Sequence, residues 1–341
     1  MSPDGSRVVY RLKQDASEIV EIYSVSLGGG EAIKLNAPLT TGDTLGDFAI
    51  SPDSNWVVYS VFHASNVTYD LFSVPILGGT ATELTQNVPA DVMVNFLATS
   101  APISPDSHYV VYGLQKKGTI KVYALVVASL AGGAEVTVTP TLVEGGSIAI
   151  YHFSLSGSHL LYSADQEVDE HQALYAVPVT GGSTLNLSGN LEIGKQISDI
   201  LLTKNNGQVI YVTLNSLFSV ALGGGTPVQL NDPSENALST IWLSPDGNVL
   251  IYATQTSSMG VDNYKLYATT PFGGSSTKLS STEQTEGTSS SLGGVYFTKD
   301  GQQIVFSISA QHTNYLYAVP VSGGTPRLLA GPIGSANSYM Q

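Results

Sequence analysis

Ser244-Pro245-Asp246-Gly247-Asn248-Val249-Leu250-Ile251-Tyr252 is the stretch on which the fold turns. Pro presets φ at the second position of a tight turn, Asp suits the third, and Gly accepts the left-handed geometry that follows. The run Val249-Leu250-Ile251-Tyr252 then reads as a strand that is apolar on both faces, as strands buried on both sides do. The same sentence returns along the chain. The turn motifs are 2–5, 51–54, 104–107 and 244–247, with degenerate forms at 154–157, 204–207 and 298–301. Each leads into an apolar run ending in an aromatic: Tyr10, Tyr59, Tyr112, Tyr162, Tyr211, Tyr252 and Phe306.

Further elements recur in register. An aliphatic–aromatic pair follows a variable stretch, as in Ile22-Tyr23, Leu71-Phe72, Leu174-Tyr175 and Leu316-Tyr317, and a Gly-Gly turn such as Gly78-Gly79 or Gly323-Gly324 leads into a last apolar strand. The repeat period is about 49 residues, close to that of a propeller blade. No window has a sustained helical period. The expected fold is therefore all-β: a seven-bladed β-propeller, residues 1–341, with four-stranded antiparallel blades whose faces are buried by their neighbours. The chain opens at a turn, so its first unit lacks an innermost strand. Ser338-Tyr339-Met340-Gln341 supplies a surplus one, and the expectation is that this tail pairs into the first blade and closes the ring.

These repeats resemble the TolB-type, WD-like β-propeller family over essentially the whole chain. The resemblance implies a propeller of six to eight blades, used for protein contacts in the periplasm, on the cell surface or outside the cell. TolB itself resembles a six-bladed version with an extra N-terminal domain, which this seven-unit sequence does not match. The units around 154–157 and 204–207 also lack the Pro-Asp.

Composition narrows the function classes. The 341 residues are 42% hydrophobic, ample for a core, and carry 27 carboxylates against 13 Lys and Arg, a formal charge of −14. Such a balance excludes phosphate-tracking nucleic-acid binders. The absence of Cys excludes disulfides, thiol catalysis and cysteine-ligated zinc. No stretch is long and apolar enough to span a membrane. The opening MSPDGSRVVYRL has no apolar leader, and its Met abuts a repeat, which suggests a piece of a longer exported chain.

Strand order places the Pro-Asp and Gly-Gly turns on one face and the loops of variable length on the other, with most of the negative charge. Binding usually resides on such loops. The candidate binding residues there are Asp43, Asp47, Asp91, Glu144, Asp165, Glu167, Asp169, Glu192, Asp199, Asp232 and Glu235, with Tyr69, Tyr264 and Tyr315 as contact anchors. Asp47 and Asp199 are read as starting innermost strands at a channel mouth. The alternate carboxylates Asp165, Glu167 and Asp169 could present oxygens to calcium, although Glu170 stands where such a loop needs Gly and Ala176 where it needs an acid. The six His form no metal set; His152 alone falls on an innermost strand. No G-x-S-x-G, Walker loop or H-E-x-x-H occurs.

The reading is a monomeric, non-enzymatic module that binds a protein partner or a small cationic ligand through its acidic loop face, without a cofactor. The alternatives are a propeller lyase or hydrolase acting at the channel mouth, and a structural spacer.

Overall fold

The computed structural model describes all residues except 14–18, 87, 97–100, 205–206, 235–237, 259–260, 282–289, 311–312 and 335–341. Every regular element among the described residues is a β-strand, and no helix is long and apolar enough to cross a membrane. The chain divides into two compact units, Met1–Gly194 and Lys195–Gln341.

In the first unit, β1 (Arg7–Lys13), β2 (Val20–Ser26) and β3 (Ile33–Lys34) form a three-stranded sheet, and β4 (Asp43–Ile50), β5 (Trp56–His63), β6 (Thr68–Pro75) and β7 (Thr82–Glu83) a four-stranded one. Two further sets of four follow. They are β8 (Val92–Asn95), β9 (Tyr109–Lys116), β10 (Val122–Ser129) and β11 (Val136–Thr137), then β12 (Ile148–Phe153), β13 (His159–Ala164), β14 (Ala173–Pro178) and β15 (Leu185–Asn186). The single pair Val122↔Ile148 joins these two sets into one eight-stranded sheet.

The second unit has three four-stranded meanders. They are β16 (Asp199–Leu202), β17 (Gln208–Val212), β18 (Leu217–Ala221) and β19 (Val228–Gln229); β20 (Leu238–Leu243), β21 (Leu250–Ser258), β22 (Val261–Thr269) and β23 (Thr277–Ser281); and β24 (Ser290–Phe297), β25 (Gln303–Ala310), β26 (Thr313–Pro320) and β27 (Arg327–Gly334). Every strand pairing is antiparallel.

The described residues thus form six sheets rather than seven separate four-stranded blades: one sheet has three strands, and a bridge fuses two sets. The tail expected to complete the first sheet lies outside the described residues.

The turn motif is built from its own side chains. The Ser244 hydroxyl donates to Asp246 Oδ1 at 2.6 Å and accepts the Val249 amide at 2.9 Å, while the Gly247 amide closes onto the Ser244 carbonyl. Ser2, Ser51 and Ser104 repeat the hydroxyl-to-Asp bond, and Thr298 makes it to Asp300. Ser54 and Ser107 hold the left-handed fourth position, at φ 64° and 60°, despite their side chains. Their hydroxyls explain it: Ser54 Oγ accepts the Asp4 amide and Ser107 Oγ the Asp53 amide, each at 3.0 Å, so each links its turn to the one before.

Behind the turns lies the core. Tyr59, Tyr112, Tyr162, Tyr211, Tyr252 and Phe306 are among the largest fully buried side chains. Most stack on the aromatic opposite, as in Tyr59 on Phe72 at 5.4 Å and Tyr252 on Tyr267 at 5.1 Å between ring centroids. Such cross-strand aromatic pairs add to the area they bury. The Gly-Gly turns bring neighbouring sheets together: a Cβ at Gly78 would stand 2.7 Å from Ile33 Cγ2, and one at Gly132 would stand 2.8 Å from Thr82 Cγ2.

Candidate functional site

In the first unit, Asp43, His63 and Asp70 come together because their strands pair in register: Asp43 lies opposite His63, and Asp70 opposite Val61. His63 Nδ1 is 2.8 Å from Asp43 Oδ1. On the other side of the ring, Nε2 is 2.9 Å from Asp70 Oδ2, within ion-pair reach although not aligned as a hydrogen bond. The Thr40 hydroxyl donates to Asp43 Oδ2 at 2.5 Å and holds that carboxyl below the usual range, with His63 adding to the effect against partial burial. Burial, followed by the charge of Asp70, pushes the Glu83 carboxyl up.

Beside this cluster β4 carries a bulge. Leu45 pairs with Val61 and Phe48 with Tyr59, so Gly46 and Asp47 together oppose Ser60. Bulges re-aim side chains, often beside functional sites. Asp47 consequently sits in the middle of β4, not at its start as the sequence suggested. Its carboxylate is 63% exposed and takes the Arg11 guanidinium at 3.0 Å, with Arg11 lying 5.6 Å from the centre of the Phe48 ring. Arg11 borders two cavities. One, of about 450 Å³, is lined by Thr40 to Leu45 with Ile19 and Val20. The other, of about 270 Å³, is lined by Asp47, Tyr69, Asn95 and Gln115. The structure therefore brings Asp43, Asp47 and Tyr69 around one arginine. Sequence reading missed Arg11, His63 and Asp70 as members of this group. The alternation of β5 and β6 signals His63 and Asp70 only once the register is known, and Arg11 comes from β1 in another sheet.

The other candidates do not join it. Exposed Asp91 precedes β8, its carbonyl accepting the Lys117 amide, and exposed Glu144 lines a different cavity. Exposed Glu192 lies in the loop after β15. In the second unit, exposed Asp199 opens β16 and caps the Ile200 amide, and Asp232 accepts the amide and hydroxyl of Ser234, which lower its pKa. Tyr264 is half-buried on β22, and Tyr315 lies 6.4 Å from Tyr317 on β26. Glu235 falls outside the described residues.

The calcium reading fails on geometry. Asp165 is only 7% exposed, and its carboxylate accepts the Ser147 amide at 2.5 Å and the Ser147 hydroxyl at 3.3 Å. Asp169 instead lies against Gly145, where a Cβ would come within 2.9 Å of Oδ2, and Glu167 is exposed. Among the described residues no three His, Asp or Glu side chains are grouped to hold a metal ion.

No family model matches the sequence, and no curated protein matches it either. Solved structures do. The chain is similar to dipeptidyl peptidase 4 of Porphyromonas gingivalis, with a TM-score of 0.65 and 12% identity, over 97% of this chain and 52% of that one. It is similar to a prolyl endopeptidase studied for the role of inter-domain dynamics in catalysis and specificity, with a TM-score of 0.50 and 14% identity, over 98% of this chain and 49% of that one. It is also similar to the C-terminal WD40 domain of Sif2, with a TM-score of 0.47 and 13% identity, over 95% of this chain and 82% of that one. The chain spans about half the length of the two peptidases, and at these identities the likeness is one of fold, the β-propeller. The matches correct the expectation of a non-enzymatic binding module within a larger exported protein, because the two solved structures named first are peptidases, of which this chain resembles about half.

Proposed function

We propose that this chain is the propeller portion of a peptidase-type protein, the bond-breaking residues lying on segments beyond the 341 residues. The observation that carries this reading is the alignment of 97% of the chain with about half of a dipeptidyl peptidase at a TM-score of 0.65. The absence of G-x-S-x-G agrees with it, since a serine nucleophile would then belong to the accompanying domain. In this reading the Arg11–Asp47 pair, Asp43 and Tyr69 form the surface that meets incoming peptide: the carboxylates suit a free amino end, and Tyr69 offers a flat contact.

Seven blades belong to the same proposal. The seven recurring turn motifs support that count.

The test is to express the product of the native gene at full length beside residues 1–341 alone. Both are treated with a serine-directed fluorophosphonate probe and with dipeptidyl and prolyl p-nitroanilides. The full-length product is expected to label and to cleave, and the propeller alone to do neither. A full-length product that neither labels nor cleaves overturns the reading.

A further inference from the structure

Residues 116–121, Lys-Lys-Gly-Thr-Ile-Lys, hold three of the 13 basic side chains of a protein with formal charge −14. They form the connection between β9 and β10, beside a cavity of about 520 Å³ that Lys116 and Lys121 both line. The size falls within the range of small-molecule pockets.

Lys117 turns away from this cavity to the carbonyls of Asn66 and Ala90, which ties the loop down. Lys121 donates to the Gly145 carbonyl at 2.6 Å, which places its ammonium at the 140–146 wall with two protons left to give. Lys116 is exposed. The cavity walls are largely aliphatic and hydroxylic, with Leu142, Thr141 and Tyr123 among them, and among the described residues Glu144 is the only carboxylate that lines them. Burial, followed by the charge of Asp91, raises the Tyr123 pKa, so its hydroxyl remains a donor at neutral pH.

Two cations, a phenol donor and an apolar floor make a receptor for a negative group carried on a short hydrocarbon body. We propose that this cavity binds a small organic carboxylate, its anionic end held between Lys116 and Lys121 and its aliphatic part against Leu142 and Tyr123. The site is separate from the Arg11–Asp47 surface and does not depend on the peptidase reading.

Hexanoate, hexanol and hexylammonium, titrated into the purified chain and followed by amide chemical shifts, test it. Hexanoate is expected to give saturable shifts confined to 116–124 and 137–146, hexanol a response at least tenfold weaker, and hexylammonium none. In the double variant Lys116→Met and Lys121→Met the hexanoate affinity should fall at least tenfold, with the thermal midpoint checked to show that the fold persists. Lys299→Met, an exposed lysine in the 298–301 turn, should leave the affinity unchanged. Equal responses to hexanoate and hexanol, shifts elsewhere in the chain, or undiminished binding by the double variant would each overturn the proposal.

Discussion

Single residues carry the turns. The Ser2 hydroxyl first, then the Ser6 amide and hydroxyl, hold the Asp4 carboxyl at about 2, and Ser244 and Thr298 likewise lower Asp246 and Asp300. A carboxyl depressed in the folded state takes up protons more readily when unfolded. Its stabilisation is therefore complete above the unfolded value near 4 and is lost as pH falls through the folded value. The thermal midpoint should drop between about pH 5 and pH 2, and carboxyl NMR should place the Asp4 midpoint near 2. A midpoint for Asp4 near 4 would show that these bonds are not made in solution. At Ser54 two effects separate. Ser54→Ala loses the bond to the Asp4 amide and keeps an unfavourable φ, whereas Ser54→Gly loses the bond and relieves the φ. Chemical denaturation should show Ala costing about 1 kcal/mol more than Gly.

Within a sheet, the third strand shows a device that sequence reading passed over. In five repeats the amide of an aliphatic residue on this strand is taken by a side chain fourteen positions later: Ile22 by Asn36, Leu71 by Thr85, Leu125 by Thr139, Leu174 by Ser188 and Leu217 by Asn231. The signal was present as a polar residue directly after the closing Leu or Val of these five repeats. It looked like the start of a loop, because small polar residues usually are. Thr85→Val keeps the shape and strands the buried Leu71 amide, so it should cost about 1–3 kcal/mol in denaturant unfolding. The β4 bulge offers a second check. A Cβ on Gly46 would overlap Ser60 Oγ, so Gly46→Ala should destabilise by about 1–3 kcal/mol. Adding Ser60→Ala removes that oxygen and should recover most of the loss; no recovery would mean that the backbone, not the hydroxyl, sets the limit.

Across the whole molecule, the repeats were legible because apolar periodicity and turn chemistry act locally. Tyr112 and Tyr211 are buried where their position in the repeat places them. Asp165 was misread as surface charge: its partner Ser147 lies eighteen residues away in sequence, and no local pattern signals such a bond. The grouping of Asp43, His63 and Asp70 was hidden for the same reason, since it depends on register between strands, and Arg11 reaches Asp47 from another sheet. Solubility is a property of the whole charge set. With a sequence pI near 4.6, light scattering should find the solubility minimum near that pH.

The serine handoffs between turns run one way, Asp4 to Ser54 and Asp53 to Ser107. Replacing Ser107 releases only the amide behind it and leaves the earlier link closed. Copies joined in this fashion can drift independently, each answerable to one neighbour, and the fourth copy already shows it with Ser156 in place of the acid. Damage there stays parochial, like a dropped stitch that does not run.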